Sequence, residues 1–322
     1  MIQINTSVPE MLCDGILTVV EPRRKRFGMH WSLRLLSVAI VATLAAPAVC
    51  RGADDQAILP VQEEIWALPL VHPTIAYVAR PIGNGPFPLA VMNHGVSLDA
   101  RERSFFPLVE FRDAALWFAR RGYLVVAPMG AGYGAAALDV PERGLYSVFY
   151  SRIGNCDNPN FRDAGLAVAH FDEWIIDYMT EQKLAKPDSA IVIGQSAGGW
   201  AAIALSSENP PSVKAIITFA AGRGGRVGGK PNNNCAPDRL VEAAGAFGRT
   251  ARVPMLWFYI ENDTYFGPDL SKRMHQTYTD AGGSAEYHLM PPFGAEGHFF
   301  IDSPDAIPQW SPLVTQFLDE HQ

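Results

Sequence analysis

The segment SAIVIGQSAGGWAAIAL, residues 189–205, constrains the fold more than any other stretch of the chain. An unbroken apolar run of strand length ends at Gly194, and a helix-forming run begins directly after Ser196. The chain must therefore turn sharply from strand to helix within Gly194–Gly198. Both glycines sit where crowded backbone leaves no room for a Cβ. Such a corner lifts the Ser196 hydroxyl above the C-terminal edge of a sheet. It also sets that hydroxyl at a helix N-terminus, where free N–H groups and the dipole favour negative charge.

From about Glu64 onward, short β-rich runs alternate with helical patterns, the order of a parallel or mixed sheet with helices on both faces. IWALPL and IAYVAR, separated by His72-Pro73, read as antiparallel edge strands. FPLAVMN, YLVVAP, SAIVIG, VKAIITFA, PMLWFYI and AEYHLM read as the other strands. The spacing of Leu108, Phe111, Ala115 and Phe118 predicts one helix over 104–120, stopped by Arg120-Arg121-Gly122. Further helices are expected after Pro159, from Ala197 to about Ser207, near Arg239 to Ala246, near Leu270 to Ala281 and around Ile307 to Glu320. Residues 221–250, rich in Gly and Asn, read as a loop insertion, and no repeat or linker divides residues 49–322, so a single domain is expected. The chain has 322 residues, 48% of them apolar and 18% charged, enough for one large core. Its formal charge of −7 argues against a surface built to neutralise phosphates, which excludes nucleic acid as a partner.

The N-terminus differs in kind. Arg23, Arg24, Lys25, Arg26 and Arg34 lead into the apolar stretch Leu35 to Ala46, about 12 residues and too short to span a bilayer as a helix. Ala46-Pro47-Ala48 follows, so residues 1–48 read as a signal peptide region cleaved after Ala48. The mature chain is then expected to be exported, periplasmic or secreted, with no stable membrane span. Met29 lies just ahead of the apolar stretch, so residues 1–28 are set apart as upstream sequence from a misassigned start. Cys50 leaves lipidation open, with Val49 standing where a small residue would be expected. Cys156 and Cys235 sit in the Asn-rich loops GNCDNPN and PNNNCAP, lack C-x-x-C spacing, and are expected to form a disulfide in an oxidising compartment.

A serine hydroxyl is a weak nucleophile until a base takes its proton, and that base must be held in one tautomer by an acid. Both are available downstream, in the order Ser, Asp, His. PMLWFYI is followed by Glu261 and Asp263; the loop from Asn262 to Pro268 favours Asp263 as the acid, with Glu261 in reserve. His298 lies in a Gly-rich loop, PPFGAEGHFF, directly after a late strand. His288 lies within AEYHLM, His170 and His275 within expected helices, and His94 at a strand end in Asn93-His94-Gly95-Val96. The oxyanion of a tetrahedral intermediate needs two donors, expected from the backbone N–H groups of Ala197 and Val96, with Gly95 beside them. Trp200, Tyr265 and Phe266 flank these positions and are expected in the substrate pocket.

On the His94-Gly95 loop, GQSAGG, YIENDTYFGP and FGAEGH, the chain resembles the α/β-hydrolase superfamily, and within it is most similar to the dienelactone hydrolase-like esterases. With their strands these segments span about Leu70 to the C-terminus. The resemblance implies a mostly parallel central sheet flanked by helices, nucleophile, acid and base roles for Ser196, Asp263 and His298, and a small-molecule ester substrate. The dienelactone enzyme itself uses cysteine where this chain has Ser196, which favours a general carboxylic ester hydrolase working through an acyl-enzyme. A peptidase or amidase would use the same residues, and a catalytically idle binding protein on this scaffold would need one of them misplaced.

Gly224 to Lys230, GGRVGGK, runs into Pro231 and so lacks both the hydroxyl and the helix start of a phosphate loop. The glycines from Gly130 to Ala135 run towards Pro141, which interrupts the helix a dinucleotide would need. Neither H-E-x-x-H nor C-x-x-C is present, and no metal or cofactor is expected.

Overall fold

A computed structural model of the chain describes residues 58–70, 73–97, 99–130, 132–134 and 155–321. The expected signal region and Cys50 lie outside them. Eight strands form one sheet: β1 (Val61–Pro69), β2 (Pro73–Pro81), β3 (Leu89–Asn93), β4 (Leu124–Pro128), β5 (Ala190–Gln195), β6 (Val213–Phe219), β7 (Met255–Ile260) and β8 (Ala285–Met290). Their spatial order is β1-β2-β4-β3-β5-β6-β7-β8. β1 pairs with β2, and β2 with β4, in antiparallel fashion, while all pairings from β4 to β8 are parallel. The antiparallel strands therefore lie at one edge.

The strands read as nearly continuous apolar runs because both faces of the sheet are covered. Val91, Val126, Val192, Ile216 and Trp257 point into one core, and their neighbours Ala90, Val125, Ile191, Ile217 and Phe258 into the other. The first core is closed by α3 (Phe161–Glu181), α4 (Ala197–Ser206), α5 (Pro237–Gly248) and α6 (Pro268–Asp280). The second is closed by α2 (Arg112–Ala119) and α7 (Ile307–His321); a short α1 (Ala100–Ser104) precedes α2. Local chemistry sets the starts. The Asn160 side chain accepts from Asp163 N at 3.1 Å to open α3, and prolines whose φ is already helical open α5 and α6.

Of the single helix expected over 104–120, only α2, Arg112–Ala119, is helical, and a loop after α1 takes the residues before it. Pro107 pushes the residue before it towards extended backbone, and Phe111 takes a left-handed φ of 54° at the start of α2. Leu108, assigned by spacing to the apolar face, is 41% exposed in the intervening loop. A disulfide joins Cys156 to Cys235, tying the chain ahead of α3 to the insertion at 221–250, part of which is the helix α5. Among the described residues, no helix is long and apolar enough to cross a membrane.

Candidate active site

Chain order reverses at β3, which pairs with both β4 and β5, and ligands of open α/β sheets bind beyond the strand ends at such a point. Asn93 and Gly194 are paired at the ends of β3 and β5, so the His94-Gly95 loop and Ser196 emerge side by side. Ser196 has φ 54° and ψ −118°, a strained conformation for a residue with a side chain. Its surroundings hold it there: its N–H donates to Phe219 O at 3.0 Å, and its carbonyl accepts from Trp200 N at 2.9 Å and Gly222 N at 3.0 Å. The flanking glycines are sterically required. A Cβ on Gly194 would stand 2.3 Å from Gly198 O, and one on Gly198 the same 2.3 Å from Asn93 O.

His94 shapes the neighbouring loop. Gly130 N donates to its Nε2 at 2.9 Å, so the ring proton sits on Nδ1, which donates to Gly95 O at 2.5 Å. Burial lowers its pKa to about 4, so the ring is neutral and packs against Phe106 and Tyr133. Tyr133 Oη takes the N–H of Ser97 at 2.7 Å. Among the described residues the N–H groups of Val96 and Ala197 have no acceptor; Ala197 follows Ser196 in the chain, and Val96 lines the same cleft as Ser196. Below the loop, Asn93 Nδ2 donates to Asp172 Oδ2 at 2.8 Å. Burial pushes the Asp172 carboxyl up to about 8, so it carries a proton at neutral pH.

The loops that carry Asp263 and His298, the expected acid and base, follow β7 and β8. Tyr265 N and Phe266 N donate to Asp263 Oδ1 at 2.6 and 3.0 Å, which aims Oδ2 at His298 Nδ1, 3.1 Å away. Both side chains are buried. That contact places the ring proton on Nδ1 and leaves Nε2 as the basic atom. Gln195 Nε2 donates to His298 O at 3.0 Å, tying the base loop to the serine corner. The Tyr265 ring stacks on His298 with centroids 4.0 Å apart. Glu261, the reserve acid, is exposed at the end of β7.

Ser196 and His298 line one cleft of about 580 Å³, together with Gly95, Val96, Tyr265 and Phe299. Two expected pocket residues lie elsewhere. Trp200 is fully buried among Phe161 and Phe247, its Nε1 donating to Phe161 O at 2.8 Å, because the first turn of α4 faces α3 and α5. Phe266 is buried behind His298, its ring 5.6 Å from that of the histidine, and does not line the cleft. Phe106 and Glu110 are among the lining residues that the sequence did not single out. Glu110 keeps its Oε2 buried without a partner, and burial pushes its pKa well above the carboxylate range. Neither belongs to a motif, so only their place in space marks them. A larger groove of about 720 Å³, lined by Glu173, Trp174 and Asp177 of α3, contains none of the expected site residues.

No protein-family model and no curated protein matches the chain. Solved structures do. A putative dienelactone hydrolase from Klebsiella pneumoniae subsp. pneumoniae matches 80% of this chain and 99% of its own at TM-score 0.55 and 17% identity. The chain has the α/β-hydrolase fold. A cold-adapted esterase from an Arctic intertidal metagenomic library shares that α/β-hydrolase architecture over 84% of this chain and 98% of its own, at TM-score 0.51 and 16% identity. Acylaminoacyl peptidase from Pyrococcus horikoshii matches 80% of this chain but only 41% of its own, at TM-score 0.55 and 13% identity.

Proposed function

We propose that this α/β-hydrolase-fold chain is a serine hydrolase that cleaves carboxylic esters through an acyl-enzyme. The observation that carries the reading is the buried Asp263–His298 contact of 3.1 Å, beside a cleft that His298 shares with the strained Ser196. Ser196 Oγ attacks the ester carbonyl while His298 Nε2 takes its proton, and Asp263 stabilises the imidazolium that forms. The N–H groups of Val96 and Ala197 bond the developing oxyanion. Collapse of the tetrahedral intermediate releases the alcohol, protonated by His298. Water, activated by the same ring, then hydrolyses the acyl-enzyme and regenerates the serine. The residues that do this work are protein groups alone, and the substrate is a small molecule that fits the cleft.

The expected export of residues 49–322 is supported by the Cys156–Cys235 disulfide, since such bonds persist in oxidising compartments. An amide-cleaving role uses the same machinery, and the matching acylaminoacyl peptidase keeps it as the second reading. A fluorophosphonate probe tests the first claim. The mature chain labels and Ser196→Ala does not; equal labelling of the two, or none of the wild type, overturns it. p-Nitrophenyl esters of increasing chain length, assayed beside the matching anilides, separate esterase from amidase.

A further inference from the structure

The acid and the base sit on loops 35 residues apart in sequence, and the 3.1 Å contact between their side chains is a single hydrogen bond. One bond between two loops does not fix a catalytic distance, because each loop has its own freedom to move. Glu296, two residues before the base, is where the loops are fastened together. Its Oε1 accepts from Thr264 N at 3.0 Å, next to the acid, and from the N–H of His298 itself at 3.1 Å. Its Oε2 accepts from the Thr264 hydroxyl and lies 3.5 Å from Arg226 Nη1. Arg226 lines the cleft, with its guanidinium carbon 5.1 Å from the centre of the Tyr265 ring that stacks on His298. A second tie lies further from the chemistry: Asn262 exchanges hydrogen bonds with Phe293 at 2.9 and 3.2 Å.

Hydrogen bonds to an ionised acceptor are about twice as strong as neutral ones, so a carboxylate receiving four donors makes a stiff joint. We propose that Glu296 is a positioning residue: its carboxylate sets the separation of Asp263 and His298 and, through Arg226, couples that pair to the cleft wall. This rests on the ester-hydrolase reading above. Three side chains separate geometry from charge. Alanine leaves the N–H groups of Thr264 and His298 without their acceptor. Aspartate keeps the charge but is one methylene too short to reach both loops. Glutamine keeps the reach and the Oε1 acceptor for both N–H groups, and loses the two Oε2 contacts, the bond from the Thr264 hydroxyl and the ion pair with Arg226.

The test measures kcat and KM for p-nitrophenyl butyrate on the mature chain and its Glu296→Ala, Glu296→Asp and Glu296→Gln variants, with melting curves to confirm folding. A displacement of 1 Å at a catalytic group costs about 100-fold, so kcat is expected to fall by about that factor in the alanine and aspartate variants, with KM nearly unchanged. The glutamine variant is expected to recover most of the loss. A folded aspartate variant with wild-type kcat overturns the proposal, as does a loss confined to KM or a glutamine variant as slow as alanine. Should the alanine variant fail to fold, the aspartate and glutamine pair decides. A wild type that neither turns over the ester nor labels with fluorophosphonate overturns the hydrolase reading, whereas an active wild type matched by Glu296→Asp overturns the positioning role alone.

Discussion

The two halves of the site are held in different ways. Ser196 is placed by backbone crowding: Gly198 lies so close to Asn93 that a methyl group would stand 2.3 Å from its carbonyl oxygen. Asp263 and His298 are placed by side-chain hydrogen bonds that cross between loops, through Asn262, Glu296 and Gln195. A rigid corner presents Ser196, and a laced pair of loops presents Asp263 and His298. The difference teaches where tolerance lies. Crowding admits no change at the glycines, whereas a network of hydrogen bonds can lose one member and keep the rest.

The sharpest break comes from the chemistry itself. Ser196→Ala is expected to lower ester turnover by on the order of 10⁴-fold or more, measured as kcat on p-nitrophenyl butyrate, with the melting temperature held. Asp263→Asn is expected next, at roughly 10³- to 10⁴-fold, since an amide no longer fixes the ring tautomer. The parallel Glu261→Gln change should leave kcat near wild type; collapse of that variant instead would move the acid's role to Glu261.

Gly198→Ala tests the crowded half. It is expected to destabilise by about 3 kcal/mol in chemical denaturation, because the added methyl displaces the end of β3. Asn262→Ala, in the laced half, should cost only about 1–2 kcal/mol. Equal costs would erase the distinction between the two halves.

The smallest effect is a slope with pH. The Asp172 carboxyl rises from 3.8 to about 8 on folding because burial penalises its charged form. The folded state therefore holds a proton that the unfolded chain gives up above pH 3.8. The stability this group allows is full below that value and is lost as pH rises towards about 8. Asp172→Asn is expected to flatten the decline in melting temperature between about pH 4 and 8, the interval set by those two values. An unchanged slope would remove Asp172 as its source.

Legibility followed the same division. The strands were readable because burial on both faces demands continuous apolar runs, and the serine corner because sterics demand its glycines. The helix expected over 104–120 failed because apolar spacing continued through Pro107, which interrupts the backbone without altering the pattern. Trp200 and Phe266 were assigned to the pocket by proximity in sequence, yet both turn inward, Trp200 to the interface between helices and Phe266 behind His298. Glu110 carried no signal, and Glu296 lay within FGAEGH without being singled out. A lone carboxylate in a loop looks like solvated surface until its partners, or the lack of them, are seen in space.

By itself, then, the sequence determined the order of strands and helices, the corner at Ser196, and an ordered acid and histidine after it. These depend on local backbone sterics and on periodic burial, which adjacent residues encode. Only the tertiary structure decided that Asp263 rather than Glu261 meets His298, that Trp200 belongs to the core, and that Glu296 joins the two loops. Those choices depend on contacts between residues more than 30 positions apart, whose geometry exists once the sheet has set the loops side by side.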